Sequence, residues 1–99
     1  AFSLLLVWFA TFKIVFAASF NCDGNISKVE NKICKNETLS ALDESLNEAY
    51  IKAKNNSEDL AFLKSNQISW LKKRNKVSNT GYLQRMYKQR IQFSWRSPN

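Results

Sequence analysis

The stretch FNCDGNISKVENKICKN, Phe20 to Asn36, carries both cysteines of the chain, Cys22 and Cys34, and the 99 residues contain no histidine. Such a pair constrains the fold more than any other feature, provided the thiols meet oxidising conditions. The segment before it supplies that context. AFSLLLVWFATFKIVFAAS is apolar up to Ala18 except for Lys13, and Val15-Phe16-Ala17 has the small-residue ending of a secretory cleavage site. We read residues 1–18 as a signal peptide, cleaved on export, with no initiator Met or basic segment ahead of it. The alternative is an uncleaved anchor, since the stretch reaches the roughly 18 residues at which a spanning helix becomes feasible. A Lys near its middle costs about 2.5–3.5 kcal/mol on insertion. Cleavage is therefore preferred, and no stable membrane span is expected in the mature chain. Ser19-Phe20-Asn21 ahead of Cys22 is too bulky and polar for a bacterial lipid-attachment site.

In an exported chain two cysteines normally close into a disulfide. Zinc needs about four ligands, which two thiols without a histidine do not supply, so no metal and no cofactor is expected. A redox-active pair usually sits as Cys-x-x-Cys, whereas these two are twelve positions apart. A Cys22–Cys34 bridge closing a loop of this size stabilises a fold by on the order of 3 kcal/mol. For a mature domain of about eighty residues that is a large share of the total.

The rest of the mature chain has helical periodicity. Ser27-Lys28-Val29-Glu30 fits a capping box, which predicts a short helix carrying Val29, Ile33 and Cys34. Leu39, Leu42, Leu46, Ala49, Tyr50 and Ala53 then follow at helical spacing. KNNSED breaks the pattern. Ser57 is placed to cap a third helix, with Glu58 and Asp59 in its first turn and Lys72, Lys73, Arg74 and Lys76 in its last. After VSNTG, a fourth helix sets Tyr82, Leu83, Met86, Tyr87 and Ile91 on one side, and Pro98 lies beyond its end. No strand alternation, repeat or long linker interrupts the chain. The expected fold is all-α, a small antiparallel helical bundle whose N-terminal segment is pinned by the disulfide, forming one domain over residues 19–96.

The apolar stripe of the third helix runs Leu60, Leu63, Gln67, Trp70, Arg74, Val77, so two polar residues stand in line with the core. The fourth helix repeats the pattern with Arg90 beside Ile91 and one turn after Tyr87. A buried Arg is expensive unless it is paired with a carboxylate, and Asp43 beside Leu42 is the candidate partner. Asp43, Gln67, Trp70, Arg74, Tyr87 and Arg90 are read as a structural polar lock between helices, with a recognition site as the alternative.

These residues also carry a resemblance. Phe20-Asn21-Cys22 followed by Val29-Glu30 and Ile33-Cys34 is similar to the opening of the LprI-type lysozyme-inhibitor domain, a bacterial exported family. Leu42-Asp43-Glu44-Ser45-Leu46-Asn47-Glu48-Ala49-Tyr50 resembles its Leu-Asp-x-x-Leu-Asn-x-x-Tyr segment. Gln67, Trp70 and Arg74 resemble its Gln-x-x-Trp-x-x-x-Arg, and Tyr87, Arg90 and Ile91 its closing Tyr-x-x-Arg-Ile. The family commonly has a second cysteine pair around the turn before the last helix. Val77 and Tyr82 stand near those places here, so a looser turn held by packing alone is expected. The resemblance implies a periplasmic or secreted module that binds and inhibits lysozyme-type muramidases.

Charge divides the chain. Ala18 to Asp59 holds five basic and eight acidic residues, a net of minus three; Leu60 to Asn99 holds nine basic residues and no acidic one, a net of plus nine. Animal lysozymes are themselves strongly basic, so an overall positive protein repels them at long range. An inhibitory surface is therefore expected in the acidic half, with Glu30, Glu37, Asp43, Glu44 and Glu48 as candidates. The alternative is an anionic envelope polymer or membrane surface bound by the basic half, with Tyr82, Tyr87, Phe93 and Trp95 nearby. Nucleic acid fits the charge but not the leader, and no nucleic-acid-binding motif is present. Catalysis is not expected. Without histidine or free thiol only carboxylates and tyrosines remain for acid–base work, and no paired-carboxylate motif stands out.

Overall fold

Each helix begins at a side chain that accepts a backbone N–H left without a partner inside the helix. The computed structural model describes residues 18–93 and Trp95, so the leader before Ala18, its cleavage site and Pro98 lie outside the described residues. Helix α1 spans Lys28–Lys35 and starts at the Ser27–Glu30 capping box. Helix α2 spans Glu37–Asn55, with Asn36 accepting from the Leu39 N–H. Helix α3 spans Leu60–Arg74 and α4 spans Thr80–Ile91, where Asn79 accepts from the Tyr82 N–H at 2.8 Å. The described residues contain no strand. Cys22 and Cys34 form a disulfide with their Cα atoms 5.9 Å apart, tying the N-terminal segment to the end of α1.

The start of α3 differs from the sequence expectation. Its cap is Asp59, which accepts from the Phe62 N–H, while Ser57 accepts from the Asp59 N–H at 3.0 Å and shapes the turn before it. An aspartate caps at least as well as a serine. With Asp59 in that role, Glu58 and Asp59 precede the helix, and its first turn carries no acidic residue.

The core is built on α2. Leu39 and Leu46 meet Val29 and Ile33 of α1 and Leu83 and Tyr87 of α4, with Phe20, Leu42, Trp70, Val77, Ile91 and Trp95 packed around them. The short turn from α2 to α3, and the approach of Asp43 to Arg74, make those two helices antiparallel; Gln67 against Arg90 does the same for α3 and α4. This alternation brings α2 and α4 side by side in the same direction, with Asp43 at Tyr87 and Tyr50 at Trp95. Tyr82 does not join the core side of α4. It is 51% exposed, because Leu83, Tyr87 and Arg90 set the buried face and Tyr82 sits about 100° around the helix from Leu83. Leu60, at the first position of α3, is likewise exposed.

The turn before α4 is held by more than packing. Val77 packs against the core, and its N–H donates to the Arg74 carbonyl at 3.0 Å. The Lys32 ammonium of α1 donates to the Ser78 carbonyl, bridging this turn to the disulfide-bonded end of the molecule.

Candidate functional site

Four helices each send one polar side chain to a single interior point: Glu30 from α1, Asp43 from α2, Arg74 from α3 and Tyr87 from α4. Arg74 is only 2% exposed. Its Nη1 donates to the Tyr87 hydroxyl at 3.2 Å and lies 3.7 Å from Asp43 Oδ1. Its Nη2 donates to Glu30 Oε2 at 3.1 Å and to Asn75 Oδ1 at 2.8 Å, and Nε donates to the same Asn75 oxygen. The Tyr87 hydroxyl in turn donates to Asp43 Oδ1 at 2.7 Å. The other Asp43 oxygen accepts from the Ser19 N–H at 2.6 Å, and the Phe20 ring lies 5.6 Å from the guanidinium carbon. The disulfide-tied segment thus closes over the cluster. No buried side-chain nitrogen or oxygen among the described residues lacks a hydrogen-bond partner, which is the condition under which a buried ion pair is tolerated.

The electrostatics follow from these contacts. The Ser27 N–H bonded to Glu30, helped by the Ser27 hydroxyl and the Arg74 charge, outweighs burial and holds the Glu30 carboxyl below its ordinary value. Burial pushes the Tyr87 phenol above its usual range, so it stays protonated and donates to Asp43. A cluster whose acids are all bonded and whose phenol is locked neutral has no free base to offer a substrate.

Arg90 is the second buried arginine, 7% exposed. Its Nε and Nη2 both donate to Gln67 Oε1, at 3.2 and 3.1 Å. Around it stand the rings of Phe93 at 4.3 Å, Trp95 at 4.5 Å and Trp70 at 6.0 Å from the guanidinium carbon. Trp70 meets Tyr87 edge to face with centroids 5.1 Å apart, linking the two arginine environments. Asp43 therefore approaches Arg74 and not Arg90.

The acidic residues singled out in the sequence separate into two groups. Asp43 is 3% exposed, and both its oxygens accept hydrogen bonds within the protein. Glu30 is half-buried and bonded to Arg74 and Ser27. Glu37, Glu44 and Glu48 are exposed. Their spacing of i, i+7 and i+11 along α2 aligns them on the face opposite Leu39 and Leu46. The charge split alone placed Glu30 and Asp43 with the partner-facing acids of the first half, and the structure turns both toward Arg74. The pairing of Glu30 to Arg74, 44 positions away, and the role of Asn75 have no local signal.

Among the described residues no group of three or more His, Cys, Asp or Glu side chains is arranged to hold a metal ion, and no helix is long and apolar enough to cross a membrane. Comparison with curated proteins and with solved structures finds no match. The model of the family described as lysozyme inhibitor LprI matches residues 22–93, from the first disulfide cysteine to just past α4. That span takes in the disulfide, the Glu30–Asp43–Arg74–Tyr87 cluster and the Gln67–Arg90 pair, and the chain belongs to the LprI lysozyme-inhibitor family.

Proposed function

We infer that the protein is an exported, non-catalytic binding module, periplasmic or secreted, that inhibits lysozyme-type muramidases through the outer face of α2. Family membership supplies the kind of target. The observation that carries the choice of surface is the alignment of Glu37, Glu44 and Glu48, all exposed on one helix face. Ile51, 45% exposed, continues the same face one turn beyond Glu48. An apolar side chain edged by carboxylates suits a strongly basic partner, with the charges steering encounter and the apolar residue adding desolvated contact. On the reverse side of the helix, Leu39, Asp43 and Leu46 are buried. A surface held rigid from behind loses little conformational entropy on binding.

The test is a titration of animal lysozyme with the oxidised protein at low and physiological salt. A saturable loss of muramidase activity at physiological salt is expected. Reversing Glu44 and Glu48 to Lys should weaken inhibition by about tenfold or more, through lost attraction and added repulsion. Neutralising Lys72 and Lys73 should leave inhibition intact or improve it. The opposite ranking would transfer binding to the basic half, and no inhibition at micromolar protein would remove the reading.

A further inference from the structure

An open groove of about 300 Å³ runs along α3 and reaches α4 at Arg90. Its α3 wall is Phe62, Ser65, Asn66, Ser69, Trp70 and Lys73. These positions follow i, i+3, i+4, i+7, i+8 and i+11, a single helix face. They combine two aromatic side chains, three neutral hydrogen-bonding side chains and one ammonium. None belongs to the acidic face of α2.

Arg90 gives the groove its electrostatic character. Both of its hydrogen bonds run to one neutral oxygen of Gln67, and among the described residues no carboxylate lies within ion-pair distance of it. Phe93 and Trp95 lie close to its guanidinium carbon and take up part of its charge through their ring faces. Lys73, exposed on the groove wall, adds a second cation. The chain from Leu60 to Asn99 contains no Asp or Glu that could supply the missing countercharge from within this half.

We propose that this groove is a binding site for an anionic saccharide, with its acid group between Lys73 and Arg90 and its ring along Ser65, Asn66, Ser69 and Trp70. The acid group meets a planar guanidinium and an ammonium, the pair of donors suited to carboxylate or phosphate. Ser65, Asn66 and Ser69 each both donate and accept, which matches ring hydroxyls that do the same. Phe62 and Trp70 provide apolar surface for the C–H face of the ring. The volume is at the small end of ligand sites and fits one substituted ring better than a folded peptide. This site is independent of the inhibitor reading and of the α2 face.

The test is an NMR titration of the oxidised protein with glucuronate, glucose 6-phosphate, glucose and acetate at matched ionic strength. Glucuronate or glucose 6-phosphate should shift the Asn66 and Ser69 amides and the Trp70 indole N–H in a saturable way, and the pair distinguishes a carboxylated from a phosphorylated ligand. Both glucose and acetate should bind about tenfold or more weakly, each lacking one half of the recognition. Lys73→Gln, an exposed change that leaves the core intact, should weaken binding of the acidic sugar by about tenfold while lysozyme inhibition stays unchanged. Ser69→Ala should weaken the acidic sugar but not acetate. Equal shifts with acetate and glucuronate would reduce the groove to a general anion patch and overturn the proposal. Equal shifts with glucose, or none with any probe, would overturn it as well.

Discussion

Arg74 and Arg90 are both buried, both sit at the boundary of α3 and α4, and both stand in otherwise apolar stripes, yet the protein treats their charges in opposite ways. Arg74 has two carboxylates, a phenol and an amide oxygen arranged around it. Arg90 has one amide oxygen and a set of aromatic rings. The first arrangement encloses its charge, with a hydrogen bond from each of its three nitrogens kept within the fold. The second leaves a cation at the edge of an open groove, with burial pulling its guanidinium below its ordinary value. Two buried arginines are thus not equal evidence for stability or for binding. What separates them is whether a carboxylate faces them.

The largest expected effect tests this difference directly. Arg74→Met should leave Glu30 and Asp43 without their cation, and Asp43→Ala should leave the buried Arg74 with Glu30 alone and the Tyr87 hydroxyl and Ser19 N–H without their acceptor, each costing about 3–5 kcal/mol of folding stability. Among the described residues Arg90 has no carboxylate partner, so Arg90→Met should cost only about 1 kcal/mol, from the lost ring contacts and the Gln67 hydrogen bonds. Denaturant midpoints of the three variants decide it. Equal losses at Arg74 and Arg90 would mean that the aromatic surroundings compensate as fully as the carboxylates do.

Opening the disulfide comes next. Replacing Cys22 and Cys34 with Ser should cost on the order of 3 kcal/mol. The loss should be visible first at the Arg74 end, because Ser19 and Phe20 are held over that cluster by this bridge. Hydrogen exchange should then rise at Asp43 and Tyr87 more than at Arg90. A uniform rise across both arginine sites would show that the bridge stabilises the whole bundle and not that end. Mass spectrometry of the protein from its native compartment should find no free thiol.

The smallest effect is acidic. Glu30 titrates below its ordinary value when folded, so its contribution to stability is complete above the unfolded carboxyl value of 4.5 and is lost as pH falls through the lower folded value. Glu30→Gln should flatten that part of the stability curve, whereas Arg90→Met should leave it unchanged. A Glu30→Gln variant with the full acid sensitivity of the parent would assign that slope to other carboxylates.

Much of the scaffold was legible in the amino-acid sequence because its signals are local. The Ser27–Glu30 box, the apolar spacing along α2, the isolated cysteine pair and the breaks at KNNSED and VSNTG each act over a few residues. The boundary that shifted, at Asp59, lies where two capping side chains compete within three positions and the better-placed carboxylate wins. The exposed Tyr82 shows the same limit. An aromatic residue at the edge of a stripe is assigned to the core or to solvent by a rotation of one position, and only the neighbouring helix decides it. The candidate α2 face was half visible, since the acids were named but the two bonded to Arg74 or beside it, Glu30 and Asp43, were not separated from the exposed three.

By itself the sequence determined the helical class, the disulfide and the separation of charge into an acidic first half and a basic second half, because periodicity, redox context and composition do not depend on which helix meets which. Tertiary structure alone decided that Asp43 faces Arg74 and that, among the described residues, no carboxylate faces Arg90. It also turned Glu30 inward and set Lys73 on the same groove as Arg90. Those outcomes depend on the parallel approach of α2 and α4 and on contacts as far as 44 positions apart along the chain. In a low-dielectric interior a shift of a few ångströms changes a charge from paired to unpaired.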